Sequence, residues 1–191
     1  SSSKKSMERK PDLTFQTYEG SSFGTPKANN SEGKKVIVLS SGGSGGGGSS
    51  TTETSITYCS QEGLSLATHT PVIINEISWM GRLEAEDEWI ELKNITSESV
   101  NLKGYQLMNK SEGIKIVFND LIVAPNSYVL LERTDDNSVP NIKADLIYKG
   151  SLGNTNEALY LFNDNCLLLD SVEANPNWPF GDSSSKKSME R

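Results

Sequence analysis

Two neighbouring stretches decide the fold of this chain: VIINEISW at residues 72–79 and EWIELKN at residues 88–94. Both are short runs rich in β-branched and aromatic residues, and from there onward the pattern has a period of two, which is typical of strands. Five similar runs follow along the chain, namely VNLKGYQLMN, IKIVF, SYVLLER, ADLIYKG and ALYLFNDNCLLLDSV. No stretch shows the periodic apolar stripe of a helix. The sequence therefore predicts strands throughout this region.

Turn-forming sequences separate these runs, and they include residues 110–113, 124–126 and 153–154. Within the third run Gly104 marks a bend, because glycine relieves the backbone there. Residues 82–88 are rich in Glu and Ala but short, and we expect a loop or a single turn. Roughly seven or eight strands at this spacing predict an all-β sandwich.

The run EWIELKN also predicts how its strand is oriented. Since successive side chains of a strand point to opposite faces, Ile90 and Leu92 share one face and Trp89 and Glu91 share the other.

Composition limits the function classes. The 191 residues carry 25 acidic and 18 basic side chains, a formal net charge of −7, and such an acidic balance argues against nucleic-acid binding. The chain is long enough to bury a core as one domain. No apolar run approaches the roughly 20 residues of a membrane span, so none is expected. The opening SSSKKSMERK lacks the apolar core of a secretion signal and does not indicate localisation.

The two ends of the chain carry the same nine residues. SSSKKSMER occupies residues 1–9 and again residues 183–191. This repeat fits either one window of a tandem array or a circular permutant whose cut strand was duplicated. In both cases the sequence that follows Arg191 in the parent architecture is residues 10–30. The duplicated positions are Ser6, Met7, Glu8 and Arg9, matched by Ser188, Met189, Glu190 and Arg191.

The sequence divides into three parts. Residues 1–30 are predicted closing strands, residues 31–71 a Gly/Ser-rich linker with a pre-strand segment, and residues 72–191 the main body of the sandwich. The Gly/Ser core of the linker offers nothing to bury and is typical of a flexible coil. A coil of this length reaches on the order of 35 Å, so the closing strands can complete their own domain or a neighbouring one.

Several motifs occur together: VIINEISW, DEWIELKNIT, VNLKGYQL, SYVLLER, NPNWPFGDSSSKKSMER and GTPKANN. In this combination the chain resembles the lamin-tail domain, a family found in nuclear lamins and in secreted bacterial proteins. The resemblance covers residues 72–191 plus 10–30 and implies an immunoglobulin-like β-sandwich. The order departs from the family, because the closing strands lie at the N-terminus here. Family members often carry a Trp where this chain has Phe15 and Tyr18.

The closing strands are candidates for strand complementation. The residues predicted to insert are Lys10, Leu13, Phe15, Tyr18, Phe23, Gly24, Thr25 and Pro26. A strand added to an open sheet edge gains a ladder of backbone hydrogen bonds, and head-to-tail exchange that does not close by symmetry gives fibres. The duplicated SSSKKSMER implies that two copies compete for one position in each sandwich.

Few residues are candidates for catalysis. Glu76, Glu88 and Glu91 fit either a carboxylate pair for acid/base work on a glycoside or plain strand carboxylates that are solvated or hydrogen-bonded. The single histidine, His69, lies in an ATHTP stretch whose neighbours do not predict a rigid catalytic scaffold. The glycines of residues 42–48 lack the Lys-Ser/Thr that completes a phosphate-binding loop. We expect no enzyme activity.

Two kinds of ligand site remain open. Trp79, Trp89 and Trp178 fit a stacking platform for sugars or simple packing. The clusters at residues 135–137 and 163–165 offer oxygen ligands for calcium, but they also read as ordinary Asp/Asn turns. We expect no cofactor, with calcium as the one alternative.

Cys59 and Cys166 are the two cysteines. A disulfide between them would close a loop of about 100 residues, worth about 4 kcal/mol in the entropy model, and would indicate an oxidising, extracellular setting. The alternative is two unrelated buried thiols.

These observations favour a non-catalytic extracellular or cell-surface module with a structural or adhesive role. Its partner would be protein, chiefly copies of itself, with assembly head-to-tail into a fibre. The alternatives are an accessory domain that targets a secreted hydrolase or nuclease to its substrate, and an engineered permutant scaffold. The fold alone does not choose among them.

Overall fold

A computed structural model describes residues 15–18, 24–28 and 57–191, and the structural statements below concern these residues. They form twelve strands and contain no helix. The strands are β1 (Gln16–Thr17), β2 (Val72–Ser78), β3 (Trp89–Asn94), β4 (Val100–Asn101), β5 (Gln106–Asn109), β6 (Lys115–Val117), β7 (Ile122–Val123), β8 (Tyr128–Arg133), β9 (Leu146–Tyr148), β10 (Ala158–Phe162), β11 (Leu168–Glu173) and β12 (Met189–Glu190).

The strands assemble into two main sheets. The first has six strands in the order β1-β12-β2-β3-β8-β9, and the second has four in the order β11-β10-β5-β6, while β4 and β7 pair separately. Neighbours are antiparallel except β8 and β9, which are parallel. This all-β arrangement confirms the predicted immunoglobulin-like β-sandwich.

The core lies between the two main sheets. Ile90 and Leu92 of β3 contribute to it from the first sheet, and Leu159 and Leu161 of β10 from the second. Trp89 lies on the other face of β3, in a separate buried cluster with Leu130 and Val139. The two faces predicted from EWIELKN are therefore those of the structure.

Two predicted runs are broken in the structure. The run at residues 100–109 is divided between β4 and β5 by a turn in which Gly104 has a φ of 80°, a conformation that favours glycine. The run at residues 158–172 is a hairpin of β10 and β11. Asn163 Oδ1 accepts hydrogen bonds from the backbone N–H groups of Asn165 and Leu167 and so shapes its turn. The expectation that Cys166 lies on a strand is therefore wrong, because Cys166 lies in this turn.

One edge of the six-stranded sheet is built from both ends of the chain. Met189 and Glu190 of β12 pair with Ile77 and Glu76 of β2, and Gln16 of β1 pairs with Glu190. Strand β2 is fully buried along its length. The predicted residues Lys10, Leu13 and Phe23, and the first copy Ser6, Met7, Glu8 and Arg9, lie outside the described residues.

Candidate functional site

The edge of the first sheet carries the main polar site of the described residues, which we call the closing site. It consists of Glu76, Glu91 and Asp170 from the main body, together with residues 15–18, 24–28 and 188–191 from the two ends of the chain. Glu76 and Glu91 are opposite each other on β2 and β3. Both are completely buried. Since Glu91 shares the face of Trp89, these carboxylates point away from the core between the sheets.

The carboxylates hold residues 24–28 against the sheet. The backbone N–H of Thr25 donates to both oxygens of Glu76, at 3.1 and 3.2 Å. The Thr25 hydroxyl lies 3.1 Å from Glu76 Oε2 and 2.9 Å from Glu190 Oε2. The backbone N–H of Lys27 donates to Glu91 Oε2, and the other oxygen of Glu91 accepts from Asn75 Nδ2 at 2.7 Å. Residues 24–28 therefore form a latch whose backbone donors are matched to buried acceptors.

The latch requires glycine at position 24. A Cβ atom at Gly24 would lie 2.4 Å from Glu76 Oε1 and 2.7 Å from both Ser188 Oγ and Trp89 Cζ2. No side chain fits at such distances without displacing the latch. At its other end Lys27 Nζ lies 2.9 Å from Asp145 Oδ2 and donates to the carbonyl of Lys143 at 2.8 Å.

Burial in this site changes the acidity of its carboxyl groups. Desolvation, reinforced by the nearby Glu190, raises the pKa of Glu76 to about 8. Desolvation and the charge of Glu76 raise the pKa of Glu91 well above its ordinary value. The two groups titrate as a pair, and burial favours the protonated, uncharged form of both. The closing site is therefore less negative than its composition indicates.

Residues 188–191, which are β12 and the residue on either side of it, are all buried. Ser188 Oγ donates to Glu76 Oε1 at 2.5 Å. Met189 is fully buried in the core between the sheets. Glu190 approaches Thr25 as described above. Ser188 and Glu190 therefore contact polar groups of the closing site, whereas Met189 packs in the core.

Arg191 is bound at a separate point of the closing site. Its Nη1 donates to Asp170 Oδ2 at 2.5 Å, and its guanidinium carbon lies 4.2 Å from the centre of the Phe15 ring. Asp170 is fully buried and also accepts from the backbone N–H of Ile74 at 2.8 Å. His69 Nδ1 lies 2.9 Å from the remaining oxygen of Asp170. Asp170 was not predicted as a site residue from the sequence. Its position on β11 is the only local feature that indicates its burial.

The other strand carboxylates are structural acceptors too. Glu88 lies apart from the closing site, 3.2 Å from Arg133 Nη1, and accepts from the backbone N–H of Leu152 at 2.8 Å. Burial raises the pKa of Glu88 to about 7. Glu132, which sequence reasoning also missed, accepts from the backbone N–H groups of Ser138 and Val139, and burial raises its pKa to about 7. Of the two interpretations of Glu76, Glu88 and Glu91, the structure supports hydrogen-bonded carboxylates, although they are buried rather than solvated.

The tryptophans do not form one platform. Trp89 and Trp178 are buried in different clusters, and Trp178 Nε1 donates to the carbonyl of Gly153 at 2.8 Å. Trp79 is half-buried, packs against the core and donates to the carbonyl of Phe180 at 3.3 Å. The structure therefore supports the second alternative, in which the three tryptophans contribute to packing.

The Asp/Asn clusters bond to nearby backbone. Asp135 and Asp136 accept from the backbone N–H groups of Asn137 and Ala144, at 3.1 and 2.7 Å. Within the described ranges, no group of three or more His, Cys, Asp or Glu residues is arranged to hold a metal ion. Nor does this part of the chain contain a helix long and apolar enough to cross a membrane.

The two cysteines form a disulfide. Cys59 and Cys166 are joined with their Cα atoms 5.2 Å apart, 107 residues apart in sequence. The bond ties the segment before β2 to the hairpin of β10 and β11. The next residues of that segment also bind β11, through backbone hydrogen bonds from Thr68 and His69 to the carbonyls of Leu168 and Leu169. The ATHTP stretch is therefore held in place, contrary to the expectation from its neighbours.

Comparison with known proteins places the chain in one family. A family model described as the lamin tail domain matches residues 65–176, more than half of the chain. A search of curated proteins gave no match. The match covers most of the main body of the sandwich, including Glu76, Glu91 and Asp170, and ends before β12. With its immunoglobulin-like β-sandwich, this chain belongs to the lamin tail domain family.

Proposed function

We propose that this chain is a non-catalytic, extracellular structural or adhesive module that joins other copies of itself by exchanging closing strands. Residues 1–30 act as the closing strands, residues 31–71 as the linker and pre-strand segment, and residues 72–191 as the receiving body. The observation that carries the proposal is the composition of one sheet edge. Its strands β12 and β1 come from opposite ends of the chain, and those ends carry the same nine residues.

The contacts at this edge support exchange because they do not depend on the linker. Thr25, Lys27 and β1 bind to Glu76, Glu91 and β12 through hydrogen bonds that a second copy reproduces. Strand addition of this kind supplies backbone hydrogen bonds to any chain with the same sequence. Exchange that proceeds from copy to copy without closing gives a linear assembly.

An extracellular setting is supported by the disulfide. Disulfides persist in oxidising compartments and are rare in the cytosol. A bond that closes a loop of 107 residues in sequence stabilises the native state by about 4 kcal/mol in the entropy model. This bond holds the linker end of the chain to the sandwich, and it would be lost in a reducing compartment.

A non-catalytic role is supported by what the acidic residues do. Glu76 and Glu91 are buried beneath the latch, and Glu88 is buried against Arg133 and Leu152. Their oxygens accept hydrogen bonds that fix the sandwich, and none of the three is open to a substrate.

The test is molar mass by light scattering after size exclusion, over a hundredfold range of protein concentration. The effective concentration across a linker of the predicted length is about millimolar, so we expect the monomer mass of 20.8 kDa in dilute samples and a mass that grows as the protein is concentrated. A variant that lacks residues 42–48 still has a linker with an extended reach of about 70 Å, so the shortening raises the effective concentration for closure within one chain and the variant assembles only at higher concentration than the parent. A variant with those residues duplicated is the matched control. Constant monomer mass in all three proteins would overturn the proposal.

A further inference from the structure

We infer that the position of β12 is a peptide-binding site that recognises Ser-Met-Glu-Arg side chain by side chain, and that residues 6–9 of a second copy are its other ligand. This inference rests on the proposed function and gives it a recognition mechanism. The bound example is residues 188–191, and the competing ligand has the identical sequence at the other end of the chain.

Recognition is confined to four of the nine duplicated residues. Ser188, Met189, Glu190 and Arg191 are all buried, whereas residues 183–187 are exposed or half-buried. Backbone pairing with β2 alone would accept many sequences, because ladder hydrogen bonds do not read side chains. The burial of four consecutive side chains, on both faces of the strand, makes this position selective.

Each buried side chain has its own contact. Ser188 donates to Glu76 at 2.5 Å, Met189 fills the core, and Glu190 lies 2.9 Å from the Thr25 hydroxyl. A larger residue in place of Ser188 would meet Glu76, and a polar one in place of Met189 would be buried among apolar side chains.

Arg191 contributes the most specific contact. Its side chain is 5% exposed, its charge meets the fully buried Asp170, and the Phe15 ring covers it. Its backbone N–H also donates to the carbonyl of Asn75 at 2.6 Å. A lysine would lose the planar stacking on Phe15. Asp170 would keep a buried charge without its counterpart if the site accepted a neutral residue.

The first copy is positioned in the sequence to bind together with β1. Glu190 lies opposite Gln16. The equivalent residue of the first copy is Glu8, and residues 9–15 connect it to Gln16 in the sequence. Antiparallel strands need only a short connection. One donor segment, residues 6–28, therefore supplies the β12 position, β1 and the latch together.

The experiment is a double-mutant cycle in the full chain, with Arg9→Glu, Arg191→Glu and both together. Urea unfolding and light-scattering mass are measured at several protein concentrations with the disulfide intact. We expect R9E to unfold like the parent. R191E loses stability in dilute samples and recovers it at high concentration, where its mass exceeds that of the monomer, because residues 6–9 of another copy fill the position. The double variant stays destabilised at all concentrations, and at high concentration, where R191E has recovered, its loss exceeds the sum of the single losses.

Two further pairs keep the result interpretable. Met7→Ala and Met189→Ala repeat the cycle at an apolar contact, in case the charge reversal prevents folding. Ser185→Glu, at an exposed position of the bound segment, and Ser3→Glu, at the equivalent position of the first copy, are matched controls and leave both measurements unchanged.

The outcomes separate this inference from the proposed function. Non-additive losses with growth in mass support both. If the losses are non-additive but the mass stays that of the monomer at every concentration, residues 6–9 of the same chain fill the position. This outcome keeps the side-chain recognition. It overturns the second copy as ligand and the proposed assembly. Additive losses, with R191E alone as unstable as the double variant at every concentration, overturn the recognition of residues 6–9.

Discussion

The two faces of the first sheet are sealed in different ways. Toward the second sheet, Ile90 and Leu92 lie in one buried apolar cluster with Leu159 and Leu161, without charged side chains. On the opposite face Glu91 and its neighbours bind the latch through hydrogen bonds. The apolar face joins mainly residues of the main body, together with Phe15, whereas the polar face joins the body to a segment more than 50 residues away in sequence. The first face is therefore covered by apolar packing, and the second by hydrogen bonds to a remote segment of the chain.

The largest effect is expected on the apolar face. Leu92→Ala removes a fully buried side chain between the sheets and should lower the free energy of unfolding by about 2–5 kcal/mol. Since no charge is involved, the loss should be the same at pH 5 and pH 8. Urea unfolding at both pH values measures it. A loss that depended strongly on pH would show that the two faces are not independent.

An intermediate effect is expected when the latch is displaced. In Gly24→Val the added side chain meets Glu76, Ser188 and Trp89, so the latch must shift at a cost of about 1–3 kcal/mol. Gly113→Ala is a matched control, because a Cβ atom there has no neighbour nearer than 4.0 Å. Hydrogen exchange should increase at residues 24–28 and at β12 in G24V, and not at β10. Equal exchange in the two variants would mean that the latch does not need glycine.

The pH dependence of stability tests the polar face directly. The pKa of Glu76 is about 8 in the folded chain and 4.5 when unperturbed, so between these values the folded state holds more protons. Its contribution to stability is therefore present below about pH 4.5 and is lost as the pH rises toward 8. Glu88 and Glu132, with pKa values raised to about 7 by burial, act in the same direction.

Glu76→Gln should remove the part of this slope that Glu76 contributes. The amide resembles the protonated carboxyl, still accepts from Thr25, and cannot ionise. We expect E76Q to gain stability over the parent at pH 8 and to match it near pH 5, with the slope reduced by at most about 1.4 kcal/mol per pH unit. Unfolding titrations from pH 5 to pH 9 measure the difference. If E76Q and the parent gave parallel curves, Glu76 would not hold the proton.

The sequence predicted these two faces unequally, for a physical reason. The alternation of EWIELKN is local, so the orientation of Ile90 and Leu92 could be predicted from the strand period alone. The disulfide was one of two alternatives, because two cysteines allow one bond but their spacing does not show that they meet. The pairing of Asp170 with Arg191 could not be found, since it depends on β11 and β12 meeting across β2 rather than on any spacing along the chain.

The burial of the carboxylates could not be predicted from local sequence either. Glu76 and Glu91 read as ordinary polar positions of half-exposed strands, because nothing nearby in sequence indicates a covering segment. Their burial is caused by residues 24–28, which are distant in the chain. Where a sheet face is covered by a remote segment, local patterns predict the strand but not which of its polar residues are buried.

The smallest effect is expected at the outer end of the latch. Lys27 pairs with Asp145 at 2.9 Å, but both side chains are about one-third exposed, at 30% and 29%. Exposed pairs of this kind contribute about 0–1 kcal/mol, so Lys27→Met should change the free energy of unfolding little, and less still in high salt. The backbone N–H of Lys27 continues to bind Glu91 in this variant, so the latch keeps its buried contacts. A loss in K27M as large as in G24V would show that the surface ion pair, rather than the buried carboxylates, holds residues 24–28 to the sheet. The distinction bears on the proposed exchange between copies. Buried backbone contacts would select the same segment in another copy, whereas a surface charge pair would bind many basic segments.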